Sequence, residues 1–515
     1  MSSTIVLLII AIYFAVIFLV TWLTTRKKDD NGNQAFFTGS RRSPWWVVTI
    51  AMIGTSISGV TFISVPGMVA GTQFSYLQMV LGFVAGYFAI AYVLLPLYYR
   101  LNLSSIYGYL EQRFGSRAYS TGAVFFLLSK FLGCGVRMYL TALVLQLVLF
   151  DGLGIPFGLN VAVTMLVVWL YTFRGGVKTL VWTDMLQTVS LIAAVVLCIY
   201  YVCVAMNLDA SGLWTTITGS PMSRTWYFDD VNDKRYFWKQ FLAGMFTTIA
   251  MTGLDQDMMQ KNLSCRNLSE ARKNVISYGF GFLPVNLLFL ALGILLYQYA
   301  STLGMFDGAS LHDITGSAMK PDELFPAIAT GTAPDGTPFL PLAVGILFVL
   351  GLIAAAFSSA GSAVTALTTS VTIDLLHAPQ RQDEQQLSRT RMRVHIINTI
   401  IMGVLIWLFR VIGSGSVINA VYVIASYTYG PLLGLYLFGL YTKLKANDRW
   451  IPYICVISPA LCLLLSTHSE AWFGGYQIGF ELLLINAAIT MLGLWISSFK
   501  KIPLTHLPTT HLQAK

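Results

Sequence analysis

The chain has 515 residues, 56% of them hydrophobic and only 11% charged, with a mean hydropathy of +0.68. Apolar runs long enough to cross a bilayer recur from end to end, which excludes a soluble globular protein. The net charge of +9 comes from bases gathered in alternate loops, a pattern that reports membrane orientation and not a nucleic-acid partner.

Lipid offers no partner to an open sheet edge, so repeated spans must be helices. The expected fold is an all-α polytopic membrane protein with about thirteen spans, near 5–24, 45–70, 75–99, 118–149, 157–173, 183–206, 236–258, 276–300, 341–374, 393–412, 417–441, 449–466 and 476–498. The first run follows MSST, without a basic leader or a cleavage site, and reads as a retained helix. With the N-terminus outside, the inner segments hold the bases of 26–42, Arg100, Arg113, Arg117, Arg174, Lys178, Lys261, Arg266, Arg272 and Lys273. The cluster 381–393, then Lys443, Lys445, Arg449 and the tail, complete the set, whereas the longest outer loop, 301–340, is acidic. The expected location is therefore the plasma (inner) membrane, with a cytoplasmic C-terminus.

Two spans carry breaks. The second, TIAMIGTSISGVTFISVPGMVAG, holds Gly54, Gly59, Pro66 and Gly67 among the hydroxyls of Thr55, Ser56, Ser58, Thr61 and Ser64. The seventh, FLAGMFTTIAMTGLDQDMMQ, loosens around Thr252 and Gly253. Paired interruptions in spans that start on opposite sides point to an inverted-repeat transporter with a binding site at mid-membrane. Glycine and proline for close packing is the plainer alternative. In the fourth span, Arg137 is costly in lipid, by roughly 2.5–3.5 kcal/mol at a helix centre. It must face a cavity or a partner, and Lys130 is its neighbour or snorkels.

The segment 355–374, AAFSSAGSAVTALTTSVTID, places Ser358, Ser362, Thr365, Thr369 and Thr372 on one helical face,. A polar seam in a buried helix requires another helix or a ligand against it. The six cysteines show no metal or disulfide spacing, and no P-loop is present,.

Four motifs in order resemble the sodium/solute symporter family. They are YTFRGGVKTLVWTDMLQT (171–188), LDQDMMQKNLSCRNLSEARKN (254–274), SSAGSAVTALTTSVTIDL and YGPLLGLYLFGLYTK (429–443). The likeness runs from about Arg41 to Arg449. It implies a LeuT-type fold with a 5+5 inverted repeat, the repeats spanning 41–206 and 236–441. An extra N-terminal helix and inner loop (1–40), two C-terminal helices (449–498) and a tail (499–515) flank them, giving one transporter domain over 1–515. Carried over residue by residue, the main Na⁺ site falls on the carbonyls of Gly54, Ile57 and Ala355 and the hydroxyls of Ser358 and Ser359. Neutral oxygens of this kind replace the water shell of a hard cation reversibly.

A second Na⁺ or a proton would use Asp184 and Ser362, but Gly361 stands where some members carry a hydroxyl. Thr183 or Asp184 also suits a helix N-cap. The resemblance assigns solute contacts to Ser56, Ser58, Thr61 and Tyr76. The chain is similar to the sialic acid, monocarboxylate, vitamin and iodide branches more than to the sugar branch, which has aromatic residues where Met251 to Leu254 stand. The sialic acid branch carries a carboxylate-binding Arg at the position of Gly133; Arg137 lies one turn along and either binds a carboxylate or braces the bundle. The function implied is sodium-coupled symport of a small organic anion by alternating access, with a small-molecule solute, Na⁺ and the bilayer as partners, and no enzyme activity. Proton coupling, a sugar or neutral solute, and a sensor without flux are the alternatives.

Overall fold

A computed structural model of the chain describes residues 3–25, 33–173, 176–412, 417–476 and 478–501. The expected bases at 26–28 and Arg174, and nearly all of the tail, lie outside these residues. Among the described residues, nine helices are long and apolar enough to span a membrane, ten if one bent pair counts as a span. The count of about thirteen is thus not reached by length and composition alone. The other expected spans correspond to two shorter apolar helices, Phe157–Thr172 and Leu482–Ile496, and to a helix interrupted between Thr248 and Gln256.

In chain order the membrane helices are α1 (Ser3–Thr25), the bent pair α2 (Trp45–Ser56) and α3 (Gly59–Gly67), and α4 (Tyr76–Ala89), which runs on to Arg100 through a wide turn. Then come α5 (Ser116–Leu145), α6 (Phe157–Thr172), α7 (Gly176–Ala205), the interrupted pair α8 (Phe237–Thr248) and α9 (Gln256–Asn262), and α10 (Leu268–Thr302). The series closes with α11 (Leu342–Ser370), α12 (Glu384–Ile412), α13 (Val417–Tyr441), α14 (Ile451–Trp472) and α15 (Leu482–Ile496). A two-stranded antiparallel ribbon pairs Leu444–Ala446 with Ser498–Lys501.

The hydroxyl-bearing helix α11 is the centre of the bundle: every residue from 351 to 370 is buried. It packs on α7, which also packs on α2. Peripheral helices expose apolar side chains instead, such as Leu8 and Ile12 on α1, Ile400 and Val404 on α12, and Val456 on α14. Lipid covers such a face as readily as protein would.

Helices α4 and α8 come together backbone to backbone. A Cβ on Gly82 would lie 2.1 Å from the Phe241 carbonyl oxygen, and one on Gly244 would lie 2.2 Å from that of Met79. Small residues at both faces are what permits this approach. Gly82→Leu should therefore lower the melting temperature of the purified protein, at a cost of about 1–3 kcal/mol from overpacking. Gly219→Ala, which meets nothing within 4 Å, should leave the melting temperature unchanged.

Candidate ion and solute site

The first break is a change of direction: α2 and α3 meet at 58°. Ile57 leaves helical geometry (φ −81°, ψ 87°), and the Ser58 N–H turns back to the Ser56 carbonyl at 3.1 Å. Gly54 thereby loses the N–H that a continuous helix would supply. Among the described residues the Gly54 and Ile57 carbonyls receive no hydrogen bond. Glycine is required at 54, because a Cβ there would lie 1.9 Å from the Thr188 hydroxyl. That hydroxyl ties α7 to α2 through the Ile50 carbonyl at 2.9 Å.

Facing the break, α11 presents Ser358 and Ser359. The Ser358 hydroxyl is buried with no partner among the described residues, and Ser359 borders the central cavity. Free carbonyls and an orphaned buried hydroxyl suit a hard monovalent cation. The Gly54 and Ile57 carbonyls and the Ser358 hydroxyl are of the type such an ion needs, whereas Ala355 lies inside the unbroken helix α11.

The second break falls where the sequence suggested, with a different outcome. A wide helical turn over Ile249–Gly253 ends α8, and Asp255 caps α9 by accepting from the N–H groups of Asp257 (2.9 Å) and Met258 (3.2 Å). Two of the loosened carbonyls find side-chain donors: Tyr98 donates to Gly253 O at 2.9 Å and Tyr107 to Leu254 O at 3.0 Å.

Helix α9 supplies the group that sequence reasoning missed. Lys261, expected as an inner-loop base, is 1% exposed. Its ammonium lies 2.6 Å from Asp184 Oδ2 and 2.7 Å from Ser362 Oγ, with a third contact to Thr55 Oγ1. Asp184 and Ser362 do meet, at 2.9 Å, with a lysine ammonium on both. Asp184 lies two turns inside α7, which starts at Gly176, so the N-cap alternative is overturned. At Gly361 a side chain would collide with the Tyr171 hydroxyl at 2.1 Å.

The cavity beside the first break has a volume of about 130 Å³. Ser56, Ser58, Thr61, Tyr76 and Arg137, the expected solute contacts, all line it. Tyr76 and Tyr422 hydroxyls pair at 3.1 Å, and Ser56 bonds the Tyr278 hydroxyl. Lys130 does not snorkel: it bridges Asp255 (3.2 Å) and Asp257 (2.7 Å), and Tyr429 donates to Asp255 at 2.5 Å. The Arg137 guanidinium has no hydrogen bond or ion pair among the described residues. Arg137 borders the cavity.

Residues 36–449 match the model of the sodium:solute symporter family. The chain belongs to this family. It is similar to the sodium/sialic acid symporter NanT of Aliivibrio fischeri, 23% identical over 85% of this chain and 84% of that one. It is also 23% identical to the sodium/sialic acid symporter SiaT of Proteus mirabilis, over 80% of each chain. The human sodium-coupled monocarboxylate transporter 1 is 26% identical over 86% of this chain and 68% of that one. Among solved structures, a substrate-bound, outward-open Na⁺-coupled sialic acid symporter superposes with a TM-score of 0.77 at 20% identity, over 96% and 97% of the two chains. The closed form of Mhp1, a nucleobase-cation-symport-1 transporter, gives 0.51 at 13% identity over 91% and 94%. The fold is the LeuT-type inverted-repeat fold, and the protein is a multi-pass, sodium-coupled symporter of a small solute.

The Lys130 bridge makes a stability prediction. Lys130→Met leaves two neighbouring carboxylates facing each other, so it should destabilise the protein by up to about 3–5 kcal/mol. Lys130→Arg should retain most of the melting temperature in the same detergent assay.

Proposed function

We propose that this symporter imports a small organic carboxylate, of the class sialic acid represents, with Na⁺ held at the first break. The observation that carries the solute class is the unpaired Arg137 guanidinium at a cavity also bordered by Ser56, Ser58, Thr61 and Tyr76. A planar two-pronged donor matches a carboxylate, and the hydroxyls serve the rest of a polar solute. The NanT, SiaT and monocarboxylate relatives support an anionic solute by name.

In this reading Gly54, Ile57, Ala355, Ser358 and Ser359 ligate Na⁺. The ion draws the α2–α3 break against α11 and favours the outward-open state; solute then allows closure, and the inner path opens by rocking of one bundle against the other. The repeats are 41–206 and 236–441, with the N-terminus outside in the plasma membrane. The acidic outer loop with Asp307, Asp313 and Asp335, set against Arg389, Arg393, Lys443 and Lys445 on the other side, supports this orientation.

Two substitutions test the site. Arg137→Ala should weaken carboxylate binding about 30- to 1000-fold, the effect of truncating one partner of a buried charge pair, and Arg137→Lys should recover part of it. Equilibrium binding of labelled sialic acid and short monocarboxylates to purified protein reads the loss. A lower melting temperature without ligand, and unchanged solute affinity, would mean that Arg137 braces the bundle. Ser359→Ala should raise the Na⁺ concentration needed for half-maximal uptake in proteoliposomes; unchanged Na⁺ activation would remove Ser359 from the ion site.

A further inference from the structure

On the outer surface of the bundle, α6 and α12 enclose an apolar groove. It has a volume of about 590 Å³, with Met165 and Leu166 of α6 on one wall and Ile396, Ile400, Gly403 and Trp407 of α12 on the other. Ile400 is 60% exposed and Trp407 49%. From Ile396 to Trp407 the groove follows α12 for about 16 Å at 1.5 Å per residue, close to the ~15 Å hydrocarbon depth of one leaflet.

The end at Ile396 is polar. Steps of four, three, four, three and four join Arg389, Arg393, Ile396, Ile400, Gly403 and Trp407 on one face of α12,, so the groove runs out between two arginines. Both are exposed and have no hydrogen bond or ion pair among the described residues. Like charges four positions apart on a helix repel each other, and an anion between them relieves the strain. Trp169 of α6 lines the same end: Thr172, one turn along, bonds His395 of α12 at 2.9 Å. The Trp169 indole N–H is buried without a hydrogen-bond partner among the described residues. An indole can donate but not accept, and a hydrocarbon chain gives it no acceptor, whereas the ester or phosphate oxygens of a lipid do. At the opposite end Arg410 already covers the Phe157 ring at 4.5 Å.

We propose that this groove binds one anionic phospholipid, its acyl chain lying along α12 and its phosphate held by Arg389 and Arg393, in the leaflet that the orientation proposed above makes the inner one. Basic side chains at the rim of a cleft between membrane helices select a net negative headgroup; the ammonium of a zwitterionic lipid would lie against the arginines. A second copy of the chain suits the face less well. A two-fold axis along the membrane normal would bring this face against itself and set Arg389 and Arg393 against their own copies.

The test is native mass spectrometry of the purified full-length protein with phosphatidylglycerol or phosphatidylethanolamine of identical chains, counting lipids per protein. Wild type should retain one phosphatidylglycerol at concentrations about 30-fold below those needed for phosphatidylethanolamine, the effect of two arginines. Arg389→Ala/Arg393→Ala should lose that preference, and Arg410→Ala should keep it. Gly403→Leu, which fills the groove and spares both arginines, should lose the retained lipid; Ile400→Trp, at an exposed position, serves the same end if Gly403→Leu does not fold. Equal retention of the two lipids by wild type, a preference that survives in the double arginine variant, or retention unchanged by a filled groove overturns the proposal. A preference lost in Arg410→Ala overturns it too, by placing the headgroup at the other end of α12. So does a spectrum of dimers that Gly403→Leu dissociates, since a second copy would then cover the face.

Discussion

A helix opened in the middle of a bilayer exposes carbonyls that water cannot reach, and each must find a donor or a cation. This chain opens two helices and answers in two ways. At the second break, tyrosine hydroxyls from Tyr98 and Tyr107 take up the Gly253 and Leu254 carbonyls, and Asp255 caps the start of α9. At the first, the Gly54 and Ile57 carbonyls receive no such donor among the described residues, and the buried Ser358 hydroxyl stands on the helix packed against them. The break with tyrosine donors serves as architecture, and the one without them is where the proposed ion site lies.

The architectural break delivers α9, seven residues that are all buried although they include Asp257 and Lys261. Each polar group on it reaches a different neighbour. Gln256 bonds Ser104 O at 3.0 Å and accepts from Ile106 N–H at 3.0 Å, Gln260 bonds Thr369 at 2.8 Å, and Lys261 bonds Asp184 and Ser362. Paired polar groups in a low-dielectric interior are costly to separate one by one. Helix α9 therefore holds the segments around it to one relative position, as rocking of one bundle against another requires.

Local pattern was enough to find the lines along which the site is built. Hydroxyls spaced four, three, four and three along 358–372 mark the face of α11 that meets α9 and α7, as Ser362 and Thr369 show. Glycine among hydroxyls at 54–61 marks the bend, and the five expected solute contacts meet at one cavity. What pattern could not supply is contact between distant segments. Lys261 was expected as an inner-loop base, because a base near the end of a span reads as a loop residue under the positive-inside rule. Its partner Asp184 is 77 positions away in a segment whose Trp-Thr-Asp reads equally as a helix start. Lys130 was open in the same way, because a snorkelling lysine and one bridging two carboxylates have the same local sequence.

The charges around the first break and the cavity explain why ion and solute should travel together. Lys130, Arg137 and Lys261 balance Asp184, Asp255 and Asp257, so the site in its unloaded form carries no net charge. Under the proposed reading, Na⁺ alone would leave one uncompensated positive charge in a region of low dielectric, and a carboxylate alone one negative charge. Both together restore the balance. Occlusion, which strips the remaining water from the cavity, then penalises each singly loaded form more than the doubly loaded one, and the coupling follows from that difference.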